Sequence, residues 1–168
     1  RLDLGGIAKG YAADEALKVL GTRGISRALV AASGDIALGD PPPGERGWRI
    51  GIAGWKSNGS PSTLLLHNCG ISTSGDAEQY IEIDGVRYSH IVSPATGLGL
   101  TERIQVTVVA PNATSTDGLA TAVSVLGQQA GLRVIEKQPR TAAFVMMPTV
   151  TGEMKVCPSK RFASLPKV

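Results

Sequence analysis

The sequence predicts an α+β fold built on a mostly antiparallel sheet. Helical and strand patterns intermix along the chain, and few strand–helix–strand units are evident. Several strand patterns are hairpin-linked, most clearly Tyr80 to Ile83 and Val86 to Ser89 across Asp84-Gly85, a strong two-residue turn signal. With 168 residues, 42% of them hydrophobic and 18% charged, the chain fits one domain with a real core.

Leu4-Gly5-Gly6-Ile7-Ala8-Lys9-Gly10 is a glycine-rich turn. Tyr11 to Leu20 then reads as a helix, with Ala12, Ala16, Val19 and Leu20 on one side and Asp14, Glu15 and Lys18 on the other. Gly21 or Gly24 ends it. Arg27 to Ala32 reads as a buried strand stopped at Ser33-Gly34-Asp35, and Ile36 to Gly39 is expected to continue it past a bulge. Asp40-Pro41-Pro42-Pro43-Gly44 is a loop. Trp48 to Ala53 alternates as a strand, Ser57 to Ser62 is turn chemistry, and Thr63 to His67 is a short strand. Ile71 to Gly75 begins near the core and ends in a turn.

Beyond the Asp84-Gly85 hairpin, Ile91 to Gly99 is a proline- and glycine-containing loop, and Arg103 to Ala110 is a strand closed by Pro111. Ser115 to Leu126 reads as a helix capped by Thr114 or Ser115. Gly131 to Glu136 is a second short helix or its continuation. Ala142 to Met147 is a strand, and Glu153 to Cys157 is one more candidate.

Composition narrows the function classes. Aromatic content is 4%, which disfavours a stacking platform for single-stranded nucleic acid. The net charge is +3, but Lys and Arg are scattered, with no run longer than Lys160-Arg161, so a nucleic-acid partner is not expected. No apolar stretch approaches the roughly 20 residues of a membrane span. Cys69 and Cys157 lie far apart and form no CxxC; buried free thiols are expected rather than a disulfide.

Four segments suit chemistry around a phosphate and a hard cation. In Asp3-Leu4-Gly5-Gly6-Ile7-Ala8-Lys9-Gly10, glycines permit close backbone approach, a helix N-terminus follows, and Lys9 adds a point charge. It is neither a Walker A nor a GxGxxG sequence. Ser33-Gly34-Asp35 puts a carboxylate at a strand end. Ser72-Thr73-Ser74-Gly75-Asp76 precedes the hairpin that leads into Arg87-Tyr88-Ser89-His90-Ile91, and His90 sits where strand becomes loop. His67, the other histidine, lies in an apolar strand pattern and reads as structural. Asp117 and Thr121, four residues apart, share one helical face and offer two oxygen ligands. Each segment also has an ordinary reading: a loop before a helix, an Asx-type turn, an Asp favoured by the helix macrodipole.

Together these segments resemble the family of FAD:protein FMN transferases. The matching stretches are Asp3 to Ala12, Ser33-Gly34-Asp35-Ile36, Thr73-Ser74-Gly75-Asp76, Tyr88-Ser89-His90-Ile91, Pro94 with Thr96-Gly97, and Val106 to Ala110 followed by Asp117-Gly118-Leu119-Ala120-Thr121. The resemblance implies an α+β fold similar to a T-fold. It implies an enzyme that cleaves FAD, passes its FMN half to a Thr hydroxyl of an acceptor protein, and releases AMP. By the same resemblance, the Asp117 carboxylate, the Thr121 hydroxyl and the Gly6 carbonyl hold Mg²⁺. Asp3, Lys9 and the Ile91 backbone contact FAD, and His90 matches the candidate catalytic base.

The resemblance further implies a location in the periplasm or on the outer face of the cytoplasmic membrane, with attachment through an N-terminal lipid anchor. The chain starts at Arg1 without a Met and shows no signal peptide. Residues 1–168 are therefore expected to be the C-terminal portion of a flavin transferase domain, whose N-terminal part supplies the rest of the flavin pocket. The chain departs from the family pattern in places. Ser33 replaces a Gly, Ala77 an aromatic, and Ser93 and Ala95 an Asp and an Arg in the loop after the histidine. The last two favour an alternative, an FAD-binding paralogue without efficient transfer; FAD pyrophosphatase activity is another.

Overall fold

The structure is a computed structural model that describes all residues except 1, 58, 59 and 76–78; side chains of 53–61 are also outside the description. The centre of the turn expected over Ser57 to Ser62 lies outside the described residues, as do Asp76 and Ala77. Among the described residues the elements follow in the order α1 (Ala8–Thr22), β1 (Leu29–Ala32), β2 (Asp35–Leu38), β3 (Trp48–Ser57), β4 (Ser60–Leu66), β5 (Cys69–Gly75), β6 (Tyr80–Ile83), β7 (Val86–Ser89), β8 (Gln105–Ala110), α2 (Ala113–Lys137), β9 (Ala142–Pro148), β10 (Met154–Pro158) and α3 (Lys160–Ala163).

Six strands form one sheet in the order β1-β2-β5-β8-β9-β10, and every neighbouring pair is antiparallel. The fold is thus the α+β, mostly antiparallel architecture that the sequence predicts. Period-2 alternation sorts the central strands between two cores. Val106, Val108 and Ala110 of β8 and Ala143 and Val145 of β9 pack under α2, with Ala120, Val123 and Ile135. Val109, Ala142, Phe144 and Met146 face the other way, against Ile50, Ile52, Leu64 and Leu66 of the β3–β4 ribbon and Phe162 of α3. The Phe144 and Phe162 rings stack with centroids 5.0 Å apart. Both faces of β8 and β9 are covered, which is why these strands read as nearly continuous apolar runs.

Several elements differ from expectation. Ile36 to Gly39 does not continue β1 past a bulge: Ser33 (φ 48°) and Gly34 (φ 94°) make a two-residue turn, and β2 returns beside β1 with Ala32 opposite Asp35. Positive φ at both turn positions is the hairpin geometry that matches strand twist. β1 is consequently the sheet's edge, only half-buried. α1 begins at Ala8, so Gly10 lies inside the helix rather than before it.

The cap of α2 is Asn112, whose side chain accepts the Ser115 N–H at 2.8 Å, and not Thr114 or Ser115. The span α2 is broken at Gly127, whose backbone is not helical (φ 74°, ψ 171°), and the chain folds back there: a Cβ on Gly131 would lie 3.1 Å from the Val123 Cα, so the Gly131 to Glu136 segment is a second helix rather than a continuation. His67 is exposed, just past the end of β4, rather than in an apolar strand. Cys69 and Cys157 are free and half-buried. The short helix α3, capped by Ser159, has no counterpart in the sequence reading.

Candidate active site at the crossing of two helices

The start of α1 and the start of α2 cross in contact. The crossing needs a residue without a side chain at Gly10: a Cβ there would lie 2.2 Å from the Ala113 carbonyl oxygen and 2.9 Å from Cβ of Asp117. Asp14, one turn further along α1, ties the two helices together. Its carboxylate accepts the backbone N–H groups of Ala113 (2.9 Å) and Thr114 (2.7 Å), two of the unpaired donors at the α2 terminus. It also accepts the Thr114 hydroxyl.

This packing buries Asp117, which is 1% exposed. Its Oδ2 accepts the Gly10 N–H at 3.1 Å, and its Oδ1 stands 3.4 Å from the Lys9 ammonium. Lys9 Nζ is closer to a second carboxylate, Asp35 Oδ2, at 2.8 Å. Asp35 is 3% exposed and opens β2 directly after the Ser33-Gly34 turn. Burial pulls the Lys9 pKa down, but the hydrogen bond and charge of Asp35, joined by Asp117, outweigh it and raise the pKa above the ordinary lysine value.

Thr121 lies one turn beyond Asp117 on α2, against Gly6. A Cβ on Gly6 would meet Thr121 Cγ2 at 3.1 Å and Oγ1 at 3.2 Å, and the Gly6 carbonyl oxygen is 3.8 Å from where a Cβ on Gly118 would stand. The crossing therefore gathers Gly6, Lys9, Asp117 and Thr121, together with Asp35, which the sequence reading treats as a strand-end carboxylate.

The remaining expected residues lie elsewhere in the fold. Asp3 is exposed, and its Oδ1 accepts the Gly5 N–H at 2.7 Å, an Asx-type turn in the loop feeding α1. His90 is exposed at the base of the β6–β7 hairpin; its Nδ1 is 3.1 Å from the Gln79 carbonyl oxygen. A carbonyl only accepts, so Nδ1 is the donor in this contact, and Nε2 is the ring nitrogen it does not engage. Among the described residues, no hydrogen bond joins His90 to the crossing. Ile91 is buried; its N–H donates to Ser89 Oγ at 3.1 Å and its carbonyl accepts from Leu100 at 2.8 Å. Ser93 and Ala95 lie in the loop beyond it, which Val92 and Gly99 pinch together. A cleft of about 500 Å³ runs between this loop and the α2 break, bounded by Tyr88, Leu98, Glu102, Ser124 and Leu126.

Asp14 is the residue that sequence reasoning misses. Its charged-face position on α1 suggests solvent, and its partners are 99 and 100 residues away. No local signal could have revealed it.

The donor set at the crossing fits a hard cation. Among the described residues no three His, Cys, Asp or Glu side chains cluster. One buried carboxylate, a Thr hydroxyl and a backbone carbonyl suit Mg²⁺, which takes few protein ligands and completes its shell with water and substrate phosphates.

Sequence and structure comparisons agree on the family. The ApbE family profile matches residues 1–145. An FAD:protein FMN transferase of Treponema pallidum is 36% identical over 159 residues, 88% of this chain and 44% of the relative. One from Escherichia coli K12 is 35% identical over 142 residues, 82% of this chain and 40% of the relative. The solved structure of the Thermotoga maritima ApbE protein superposes with TM-score 0.84 at 31% identity, covering 100% of this chain and 54% of that one. The flavin transferase ApbE from Vibrio cholerae gives 0.83 at 32% identity, covering 98% and 52%. This chain belongs to the ApbE family. It spans about half the length of the relatives it matches.

Proposed function

We propose that this chain carries the metal- and pyrophosphate-binding part of an FAD:protein FMN transferase, which moves FMN from FAD to a Thr hydroxyl of an acceptor protein. The observation that carries the reading is the convergence of Gly6, Lys9, Asp117 and Thr121 on one helix crossing. In the proposed reaction the Thr oxygen bonds to the FMN phosphorus and the bridging P–O bond breaks. The bridging oxygen leaves with AMP. His90 Nε2 takes the hydroxyl proton, since a Thr hydroxyl is a poor nucleophile at neutral pH. Asp117, Thr121 and the Gly6 carbonyl would hold Mg²⁺, which would withdraw charge from the pyrophosphate oxygens. Lys9 would add a fixed positive charge beside them, and Asp3 and the Ile91 loop would contact FAD.

Because the chain spans about half of its relatives, we assign it one wall of the FAD site, residues 1–168 forming the C-terminal portion of the domain. We assign the reaction to the periplasmic side of the membrane, as the family resemblance implies. The test incubates the natural full-length protein with FAD, MgCl₂ and a Thr-bearing acceptor, following AMP by chromatography and flavin on the acceptor by mass. Transfer requires both products, dependent on Mg²⁺ and lost in Asp117→Asn. AMP without a labelled acceptor would make the protein a pyrophosphatase, and FAD binding without either product a flavin-holding paralogue. Tight, Mg²⁺-dependent FAD binding by residues 1–168 alone would refute the one-wall assignment.

A further inference from the structure

Asp117 has two carboxylate oxygens, and they are not equivalent. Oδ2 accepts the Gly10 N–H, a bond set by the helix crossing. Oδ1 is therefore the oxygen left for a cation, and it is also the one 3.4 Å from the Lys9 ammonium. An ammonium drawn fully onto Oδ1 would compete with any metal there. What prevents that is Asp35: its Oδ2 holds the same ammonium at 2.8 Å.

The two partners differ in mobility. Asp35 is buried, follows a tight turn, and is paired on both sides, with Ala32 of β1 and Ser72 of β5. Lys9 is a point charge on a flexible four-carbon stem, with its side chain 43% exposed. The sheet fixes the carboxylate, and the carboxylate fixes the ammonium.

We propose that Asp35 is a positioning residue that holds Lys9 off Asp117, keeping Asp117 Oδ1 available to the divalent cation while retaining a positive charge beside it. This rests on the proposed reading of Asp117, Thr121 and Gly6 as a cation site. When the cation arrives, it repels the ammonium, and Asp35 gives Lys9 a partner to stay with. Without Asp35 the nearest anion to Lys9 is Asp117 itself, and the ammonium closes onto the ligand oxygen.

The test measures Mn²⁺ affinity by electron paramagnetic resonance, with no turnover involved, in the wild type and in Asp35→Asn, Lys9→Met, the double variant and Asp117→Asn. Asn keeps the shape of Asp35 and removes its charge. Asp35→Asn is expected to weaken Mn²⁺ binding about tenfold or more, and adding Lys9→Met should restore it to within about threefold, a coupling that independent sites would not show. Lys9→Met alone should bind Mn²⁺ at least as tightly as the wild type. Unchanged affinity in Asp35→Asn overturns the inference. So does a double variant that stays weak, because Asp35 would then act through its own charge or through folding. Wild-type affinity in Asp117→Asn, or no Mn²⁺ binding by the wild type, would instead defeat the underlying cation site.

Discussion

Replacing Gly10 by Ala should separate the two helices that build the site. The added Cβ would start 2.2 Å from the Ala113 carbonyl oxygen. An ordinary C···O contact is about 3.3 Å, so the backbone of α2 must retreat by about 1 Å. Overpacking of this kind costs about 1–3 kcal/mol. The retreat also stretches the Gly10 N–H bond to the Asp117 carboxylate, a charge-assisted bond worth about 1.5–3 kcal/mol. Ala improves helix propensity by about 1 kcal/mol, which offsets part of this. The net loss is about 3 kcal/mol, or roughly 6–12 °C in melting temperature for a chain of this size. Circular dichroism melts of residues 1–168 read it directly. Gly21→Ala is the control, since a Cβ there meets nothing within 4 Å in the same helix, and it should melt no lower than wild type. A Gly10→Ala melt within about 2 °C of wild type would refute the close-approach argument.

Gly6→Val should press on the Thr121 side chain and weaken Mn²⁺ binding about tenfold while costing less than about 1.5 kcal/mol of stability; equal losses of binding and stability would mark Gly6 as merely structural. His90→Ala should keep FAD affinity but lose about 10²- to 10⁴-fold in transfer rate, measured on the full-length protein. His67→Ala, at an exposed position, should change neither, and a similar loss in both variants would remove His90 from the proton transfer. Burial pushes the Cys69 thiol up to about 11. A raised pKa favours the folded state while the thiol is protonated; that stability is intact below the unfolded value near 9 and is lost as pH rises through 11. Urea unfolding should therefore show about 2 kcal/mol more loss between pH 8 and 10.5 in wild type than in Cys69→Ala, and parallel pH profiles would contradict it.

What the sequence made legible was whatever rests on local periodicity or local turn chemistry. Asp84 (φ 52°) and Gly85 (φ 75°) form the expected hairpin turn between β6 and β7. The strands β8 and β9 fall close to their expected bounds because apolar runs mark them. Ser33-Gly34 carries the same kind of signal, but the apolar residues on either side read more easily as one bulged strand than as two paired ones. The cap of α2 was not legible for a different reason. Asn112, Thr114 and Ser115 are all good caps, and the choice was settled by Asp14, which engages Thr114 from a residue 100 positions away. At the site, ordered motifs singled out Gly6, Lys9, Asp117 and Thr121, each of which carries its own chemical signature. The partnership of Asp35 with Lys9 was invisible, because it depends on how the edge of the sheet lies against α1.

Lys9 and Asp117 stand 108 residues apart in the chain. Closing a loop of that length costs roughly 4 kcal/mol of chain entropy before any contact across it is made. Contacts made elsewhere in the sheet and helices must offset that cost, so the site depends on the whole fold rather than being a local motif waiting for its ligand. A ligand of the crossing adds stability only to chains that have closed this circuit. It would act as a latch on the finished fold.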